Sequence, residues 1–308
     1  MSDISDIKPG SWKAWEISFR PKTLGVALAP VIVGLSAALS VTGHLNVLLA
    51  LLTAFVAASV QALTNMENDV GYTKRKAERS NRKGLPRATS LGLLTCEQVD
   101  RAILILGAIL VLVSLSLVLI GGWVIFLLGA SSVAAAYLYM GGPKPIAYTP
   151  YGELTVFVFF GLIAVNGTYY LQTGDISGVS IAFGAACGAV AAGVLAVNNR
   201  RDMVHDASIG RKTLAVVLGK KRMTRLYLYM LLAPFAIVLL TVTLEPSHFL
   251  YLAALAPIAL VKPLYEDFVH KEALDLNATL FGTVKLEVKF AVCLTAGALL
   301  DTAWHWLF

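Results

Sequence analysis

The chain has 308 residues, of which 57% are hydrophobic and only 14% are charged. About a quarter of the residues in an average soluble domain are charged, so this composition excludes an ordinary soluble protein. The formal net charge of +6 does not indicate nucleic-acid binding, because membrane topology explains the basic residues more simply. The three cysteines, Cys96, Cys187 and Cys293, are widely spaced and predict neither a disulfide framework nor a zinc site.

Nine stretches of the chain are apolar enough to cross a bilayer as helices, for which about 20 mostly apolar residues are needed. Membrane strands would instead appear as alternating segments of about 10 residues. The predicted spans are 23–42, 46–64, 102–120, 122–140, 153–172, 178–197, 226–244, 248–265 and 288–307. The sequence therefore predicts an all-α polytopic membrane protein, with residues 1–308 forming a single domain.

The lysines and arginines predict the orientation of these spans. All 25 of them lie before the first span, in alternate connections or at the edges of those connections. The intervening connections, near His44, Gly121, Asp175 and Glu245, contain none. Cytoplasmic loops collect Lys and Arg. We therefore expect an integral protein of the cytoplasmic (inner) membrane, with the N-terminus and charged loops in the cytoplasm and Phe308 outside.

Two of the charged connections open with clusters of acidic and amide side chains. Asn65 and Asp69 are four residues apart, as are Asp202 and Asp206, so each pair shares one face of a continuing helix. Like charges at this spacing repel, and the C-terminal end of a helix disfavours anions. A cation would offset both costs, and oxygen ligands suit Mg²⁺. We therefore predict that Asn65, Asp69, Asp202 and Asp206 bind Mg²⁺.

Cations lie close to both acidic clusters in the sequence. Arg87 follows the first cluster and Lys212 follows the second. Guanidinium and ammonium groups are suited to diphosphate oxygens. The other interpretation is that these are ordinary solvated loops whose charges only set the orientation. Metal-binding carboxylates and cations at the mouth of an apolar bundle predict a substrate with a diphosphate head and a long apolar tail.

Several motifs resemble those of the UbiA superfamily of intramembrane aromatic prenyltransferases. They are Arg20-Pro21-Lys22-Thr23-Leu24, Asn65 with Asn68-Asp69, Gly84-Leu85-Pro86-Arg87-Ala88, Tyr139 to Gly161, and Asn198-Asn199-Arg200-Arg201-Asp202 with Asp206 and Gly210-Arg211-Lys212-Thr213-Leu214. The resemblance covers nearly the whole chain. Within the superfamily, the chain is most similar to the branch that prenylates 1,4-dihydroxy-2-naphthoate in menaquinone synthesis.

This resemblance implies a helical bundle around a central cavity with cytoplasmic cap loops. It implies Mg²⁺ between the two acidic motifs and transfer of a polyprenyl chain from its diphosphate to an aromatic acid acceptor. The implied catalytic residues are Asp69, Asp202 and Asp206, and we also predict a catalytic role for Tyr72, which lies next to the first motif. Those expected to bind substrate are Asn65, Asn68, Arg87, Asn198, Arg201, Lys212, Tyr139, Glu153, Phe157 and Tyr170.

The chain departs from the family pattern at one position. The first motif of the family usually reads Asn-Asp-x-x-Asp, but here Tyr72 stands where the second aspartate is expected. We therefore predict a weakened first metal site. Three alternatives stay open: an acceptor such as hydroxybenzoate, homogentisate, heme or a lipid, a noncatalytic or diverted family member, and a membrane transporter.

Overall fold

The computed structural model describes residues 6–74, 86–140 and 143–307, and its regular secondary structure over these ranges is entirely helical. The α-helices are α1 (Trp12–Phe19), α2 (Gly25–Thr42), α3 (Val47–Lys74), α4 (Cys96–Met140), α5 (Gly152–Val156), α6 (Ala164–Thr173), α7 (Gly178–Ser208), α8 (Leu214–Leu244), α9 (Val261–His270) and α10 (Leu276–Leu307). A π-helical segment, Phe157–Ile163, joins α5 to α6, and a 3-10 segment, Pro246–Leu260, precedes α9. The predicted all-α class is confirmed.

Seven of the described helical segments are long and apolar enough to cross a membrane. One of them, Cys96–Tyr139, has 44 residues, which is about 66 Å and roughly twice the thickness of a hydrocarbon core. It kinks at Gly122, where φ is +66°, so the predicted spans 102–120 and 122–140 are two arms of α4. The predicted span 288–307 lies within α10. The polytopic membrane class is confirmed, and the count of nine spans stays a prediction.

The predicted span 248–265 is not one regular α-helix. The chain forms the 3-10 segment from Pro246 to Leu260 and becomes α-helical only at Val261. This segment begins with one proline and has Pro257 inside it. Proline has no backbone N–H and its ring crowds the preceding turn, so regular α-helical hydrogen bonding is interrupted.

Helix α7 is the centre of the bundle, and it packs against α2, α8, α10 and the π-helical segment. The last contact depends on glycines, because a Cβ on Gly161 would lie 2.5 Å from the carbonyl oxygen of Gly184 and 2.5 Å from Cα of Gly188. Small residues allow helices to approach this closely in membranes. The contact holds α5 against the end of α7, where the second acidic motif lies.

Helix α1 packs beside the first acidic motif. Ala14 of α1 belongs to a small apolar core with Met66 and Val70 of α3, and with Leu93 and Leu94 from the segment before α4. This core includes residues immediately next to the polar side chains of α3. It therefore fixes the segment that follows α1 close to the first motif.

Candidate active site

Asp69 of the first motif is completely buried, and its two carboxylate oxygens have different surroundings. Oδ1 accepts hydrogen bonds from the backbone N–H of Thr89 at 3.2 Å and from its hydroxyl at 2.7 Å. Oδ2 is buried and has no hydrogen-bond partner among the described residues. Thr89 thus holds the carboxylate in place while one oxygen is left to bind a ligand. Thr89 was not among the residues predicted from sequence, although it directly follows the matched motif that ends at Ala88.

Asn65 connects the first motif to the segment after α1. Its side-chain N–H₂ donates to the carbonyl oxygen of Phe19 at 2.9 Å and to the hydroxyl of Thr23 at 3.0 Å. Both hydrogen bonds use the side-chain nitrogen of Asn65, so its side-chain oxygen, Oδ1, is the atom that can bind a cation. Arg20, between these two partners, has a left-handed backbone (φ +54°), which is uncommon outside glycine and clusters at functional sites.

Tyr72 lies beneath Arg87. The guanidinium carbon of Arg87 is 3.4 Å from the centroid of the Tyr72 ring, within the range of a cation–π interaction. The same guanidinium donates to the carbonyl oxygen of Asn68 at 3.4 Å, and Arg87 is only 4% exposed. Three of the predicted site residues are therefore brought together beside Asp69. The stacking of Arg87 on Tyr72 could not be predicted from the sequence.

Arg201 forms a bidentate ion pair with Asp202 in the second motif. Its Nε and Nη2 donate to the two carboxylate oxygens at 2.9 and 2.7 Å. Arg201 also donates to the side-chain oxygens of Asn198 at 2.7 Å and of Asn277, from α10, at 2.8 Å. An ionised carboxylate has about four lone-pair sites, so Asp202 retains capacity for a further cation. Its orientation is nevertheless set by Arg201.

Asp206 is almost completely buried and resembles Asp69 in its surroundings. Its Oδ1 accepts from Nη1 of Arg211 at 2.9 Å, whereas Oδ2 has no hydrogen-bond partner in the part of the chain described. Arg211 also donates to the carbonyl oxygen of Ala147 at 2.9 Å. The side chain of the neighbouring Lys212 is exposed. Of these two adjacent cations, the structure places Arg211 beside the acidic motif, rather than the Lys212 chosen from sequence.

Glu153 connects α5 to the second motif. One of its oxygens accepts from the side-chain amide of Asn199 at 2.9 Å, and the other is buried without a hydrogen-bond partner among the described residues. Its position in the first turn of α5 also favours an anion. An apolar groove of about 380 Å³ begins at Glu153 and Phe157 and runs between α5, α7 and α8. The predicted central cavity itself stays a prediction.

Arg200 of α7 and Lys220 of α8 both contact Glu272, which lies between α9 and α10. Arg200 donates to Glu272 at 3.1 Å, and Lys220 donates to the same carboxylate. The hydrogen bonds from Lys220 and Arg200 hold the pKa of Glu272 below its usual value. Of the adjacent pair Arg200 and Arg201, only Arg201 therefore contacts the acidic motif.

The two predicted aromatic residues Tyr139 and Tyr170 have different positions. The hydroxyl of Tyr139 lies beside the first turn of α5, because a Cβ on Gly152 would be 3.7 Å from that oxygen. Tyr170 lies one turn before the end of α6, about 25 Å of helix from Glu153. Tyr170 is therefore at the opposite end of the bundle from the acidic residues, and the structure does not bring it to them.

The acidic side chains suit a bound cation. Asp69 and Asp206 each present a buried carboxylate oxygen that no described residue satisfies. Leaving a buried anionic oxygen without a partner is costly, and a cation removes that cost. Hard oxygen ligands from carboxylates and an amide match Mg²⁺, which usually binds one or two carboxylates together with substrate phosphates. The residues present therefore fit a magnesium ion.

The fold and the site define a class of protein: a polytopic helical membrane protein with two acidic motifs at one end of an apolar bundle. The model of the UbiA prenyltransferase family matches residues 27–286 of the chain. The chain belongs to the UbiA prenyltransferase family.

Curated relatives cover most of the chain. The 1,4-dihydroxy-2-naphthoate octaprenyltransferase of Escherichia coli is 36% identical over 71% of this chain and 73% of its own. The protein of the same name from Mycobacterium tuberculosis is 38% identical over 70% of this chain and 74% of its own. The one from Bacillus subtilis is 28% identical over 93% of this chain and 92% of its own.

Solved structures share the fold. The apo structure of a UbiA homologue from Aeropyrum pernix matches with a TM-score of 0.65 and 17% identity, over 90% of this chain and 97% of that one. A UbiA homologue from Archaeoglobus fulgidus, bound to GPP and Mg²⁺, matches with a TM-score of 0.61 and 15% identity, over 92% of this chain and 99% of that one.

Proposed function

We propose that this protein transfers a polyprenyl chain from polyprenyl diphosphate to 1,4-dihydroxy-2-naphthoate, as a step of menaquinone biosynthesis. In the net reaction, the bond between C1 of the prenyl chain and the diphosphate oxygen breaks and a carbon–carbon bond to the ring forms. The prenyl group replaces the carboxylate, which leaves as CO₂, and diphosphate is released. The observation that carries the acceptor assignment is the 36–38% identity to two relatives named for this acceptor.

Arginine side chains of this protein supply the positive charge that binds the diphosphate. Arg87 is held rigidly between the Tyr72 ring and the carbonyl oxygen of Asn68, so its guanidinium can meet diphosphate oxygens with little loss of side-chain entropy. Such preorganised donors stabilise the negative charge that develops as the C1–O bond breaks. Arg211 is fixed by Asp206 and by the Ala147 carbonyl, and we propose that it supports the site from the opposite motif.

Asp69, Asp202, Asp206 and the carbonyl oxygen of Asn65 are the residues that would hold Mg²⁺. A bound Mg²⁺ would neutralise charge on the diphosphate and so favour its departure. Asp69 and Asp206 are each oriented by a hydrogen-bond donor on one oxygen, which leaves the other oxygen correctly directed for this role. The Mg²⁺ bound in the Archaeoglobus structure supports the same assignment.

We propose that the apolar groove beside Phe157 receives part of the prenyl tail. Its lining is Glu153, Leu154, Phe157, Ala189, Ala192, Leu214, Leu226, Tyr229, Met230 and Ala233. Exclusion of water from such surroundings protects an allylic cation from being quenched. The faces of Tyr139 and Phe157 can stabilise its positive charge.

The orientation in the membrane is part of the same proposal. We place the N-terminus and both acidic motifs on the cytoplasmic face of the cytoplasmic membrane, and the C-terminus outside. The one-sided distribution of all 25 lysines and arginines supports this topology. A water-soluble aromatic acid made in the cytoplasm would then reach the acidic end of the bundle directly.

The test of the function uses purified protein reconstituted in lipid vesicles with Mg²⁺ and a polyprenyl diphosphate. We expect prenylated product with carboxyl-labelled 1,4-dihydroxy-2-naphthoate, and one labelled CO₂ released per product. Parallel reactions contain 4-hydroxybenzoate, homogentisate or a lipid acceptor. A higher kcat/KM with any of these would replace the proposed acceptor, and no product with any acceptor would favour the noncatalytic alternative.

Tyr72 is expected to strengthen binding of the prenyl diphosphate through its hydroxyl and through its ring. Two substitutions separate these contributions. Tyr72→Phe keeps the ring beneath Arg87 and removes the hydroxyl, so the loss of one hydrogen bond to diphosphate should weaken donor binding by about 1 kcal/mol. Tyr72→Leu also removes the cation–π contact and should weaken it further. The measurement is the Kd of a non-reactive thiodiphosphate analogue.

A third substitution introduces aspartate, the residue that the family pattern has at this position. Tyr72→Asp adds a carboxylate and is expected to lower the Mg²⁺ concentration required for half-maximal activity. Equal donor binding in the parent, Tyr72→Phe and Tyr72→Leu would place Tyr72 outside the site.

A further inference from the structure

A second cluster of metal-binding side chains lies far from the acidic motifs. His248 is in the 3-10 segment Pro246–Leu260, and Asp301 and His305 are in the last turns of α10. One ligand atom from each of the three lies within 4.8 Å of the other two. Residues 220–244 of α8 separate the second motif from this cluster by about 37 Å of helix. The cluster is therefore at the opposite end of the bundle.

Asp301 is the centre of this cluster. Its side chain is completely buried, and its Oδ2 lies 2.6 Å from Nδ1 of His248 and 3.9 Å from Nε2 of His305. Its Oδ1 has no hydrogen-bond partner within the described ranges. The hydrogen bond with His248 alone leaves this buried oxygen unsatisfied and gives His305 no role. A cation bound by His248, by His305 and by both carboxylate oxygens of Asp301 would satisfy Oδ1 and give His305 a ligand role.

The geometry is close to that of a zinc site. Two ligands of a tetrahedral zinc, each about 2.0–2.1 Å from the metal, are separated by about 3.3 Å. The distances from Asp301 to the two histidines, 2.6 and 3.9 Å, lie on either side of this value. These two distances therefore need adjustments of about 0.7 Å. The ligand atoms of His248 and His305 lie within 4.8 Å of each other, so that pair needs to close by at most about 1.5 Å. Asp301 and His305 are four residues apart on one helix and so project from the same face.

The ring of His248 is already oriented. It stacks on Tyr251, with the ring centroids 5.3 Å apart and an interplanar angle of 16°. Glu245 lies beside it, with Oε2 3.9 Å from Nε2 of His248. This second carboxylate adds negative charge beside Nε2, whereas Nδ1 of the same ring faces Asp301. The stacking fixes the imidazole, which lowers the entropy lost when it binds a metal.

We propose that His248, Asp301 and His305 form a binding site for a divalent transition-metal ion, with zinc the best match. Imidazole nitrogens together with a carboxylate suit zinc, whereas magnesium prefers oxygen ligands only. Three protein ligands leave a fourth position for water. The ion joins the 3-10 segment to the C-terminal end of α10, so its role is to stabilise this end of the bundle. The site is separate from the proposed prenyl-transfer chemistry.

The experiment is zinc binding by the full-length protein in detergent, with Zn²⁺ alone as the probe. Stoichiometry is measured by mass spectrometry of the metal after dialysis, and affinity by competition with a chromophoric chelator. We expect one zinc per chain in the parent, and at least about tenfold weaker binding in His305→Ala and Asp301→Asn. Zn²⁺ should raise the Tm of the parent but not that of His305→Ala.

His44→Ala is the matched control, because His44 is an exposed histidine whose hydrogen bonds within the described ranges are to Thr42 in its own turn. It should bind zinc as the parent does. His305 is half-exposed at the end of α10 and its removal leaves the core intact, so the test does not depend on whether Asp301→Asn folds. Absence of stoichiometric zinc in the parent, or equal affinity in His305→Ala and His44→Ala, would overturn the proposal.

Discussion

Asp206→Asn is expected to lower the rate of prenyl transfer by about a hundredfold or more, while the protein still folds and inserts. Asparagine has nearly the same shape as aspartate, so one oxygen can still accept the hydrogen bond from Arg211. What is lost is the anionic character of Oδ2, which is buried and has no hydrogen-bond partner among the residues that the structure describes. Asp69→Asn should have a similar effect, because the Thr89 hydrogen bonds to Oδ1 are retained in the same way.

Initial rates in reconstituted vesicles, measured across a Mg²⁺ titration, test this expectation. Asp100→Asn is the control, since Asp100 makes an exposed ion pair with Lys74 near the first motif and such pairs contribute little. We expect its rate to stay within about twofold of the parent. A monodisperse elution profile in detergent would show that each variant folds. If Asp206→Asn turns over within tenfold of the parent at every Mg²⁺ concentration, the metal assignment is wrong.

Asp202→Asn is also expected to be strongly impaired, but for two combined reasons. The substitution removes a carboxylate from the proposed metal site, and it breaks the paired hydrogen bonds from Arg201. Arg201 would then be a buried cation whose described side-chain partners, Asn198, Asn277 and the new asparagine, are all neutral. Asp69 and Asp206 therefore give the cleaner test of metal binding.

The second large effect is expected at Arg87. Arg87→Lys keeps the positive charge but cannot stack as a planar group on Tyr72, nor present a forked pair of donors. We expect the KM for the prenyl diphosphate to rise about tenfold or more, with a much smaller change in the KM for the aromatic acceptor. Arg87→Ala should raise the donor KM further, because it removes the charge as well.

Steady-state kinetics with each substrate varied in turn measures this split. Arg101→Lys is the matched control, since Arg101 is exposed and pairs with Glu97 one turn away. Lys212→Ala tests the cation chosen from sequence. Because its side chain is exposed, we expect a smaller rise in donor KM than for Arg87→Lys. A larger rise in acceptor KM than in donor KM for the Arg87 variants would transfer this residue to the acceptor site.

Much of the architecture is local in origin, and the sequence was sufficient to predict it. Long apolar blocks specify membrane helices wherever they occur, because lipid leaves the backbone no other hydrogen-bond partners. The four-residue spacing within each acidic motif also fixes a shared helix face before any tertiary contact forms. Asn65, Asp69, Asp202 and Asp206 could therefore be predicted together. The 3-10 segment from Pro246 to Leu260 could not, because apolar composition alone does not report hydrogen-bond register.

The division of roles among these residues depends on tertiary contacts between distant parts of the chain. Arg211 and Lys212 are adjacent and chemically alike, yet only Arg211 is turned towards Asp206, because the Ala147 carbonyl receives it. Asp69 is positioned by Thr89, twenty residues away.

The sequence alone determined the class of protein, its acidic motifs and the kind of substrate they suit. Only the tertiary structure decided which carboxylate oxygens are left without partners, that Tyr72 supports Arg87, and that Tyr170 lies at the far end of the bundle. It also brought together His248, Asp301 and His305, which could not be grouped from the sequence because His248 lies 53 residues before Asp301. Helix-forming patterns act over a few residues, whereas side-chain pairing between helices depends on the packing of the whole bundle.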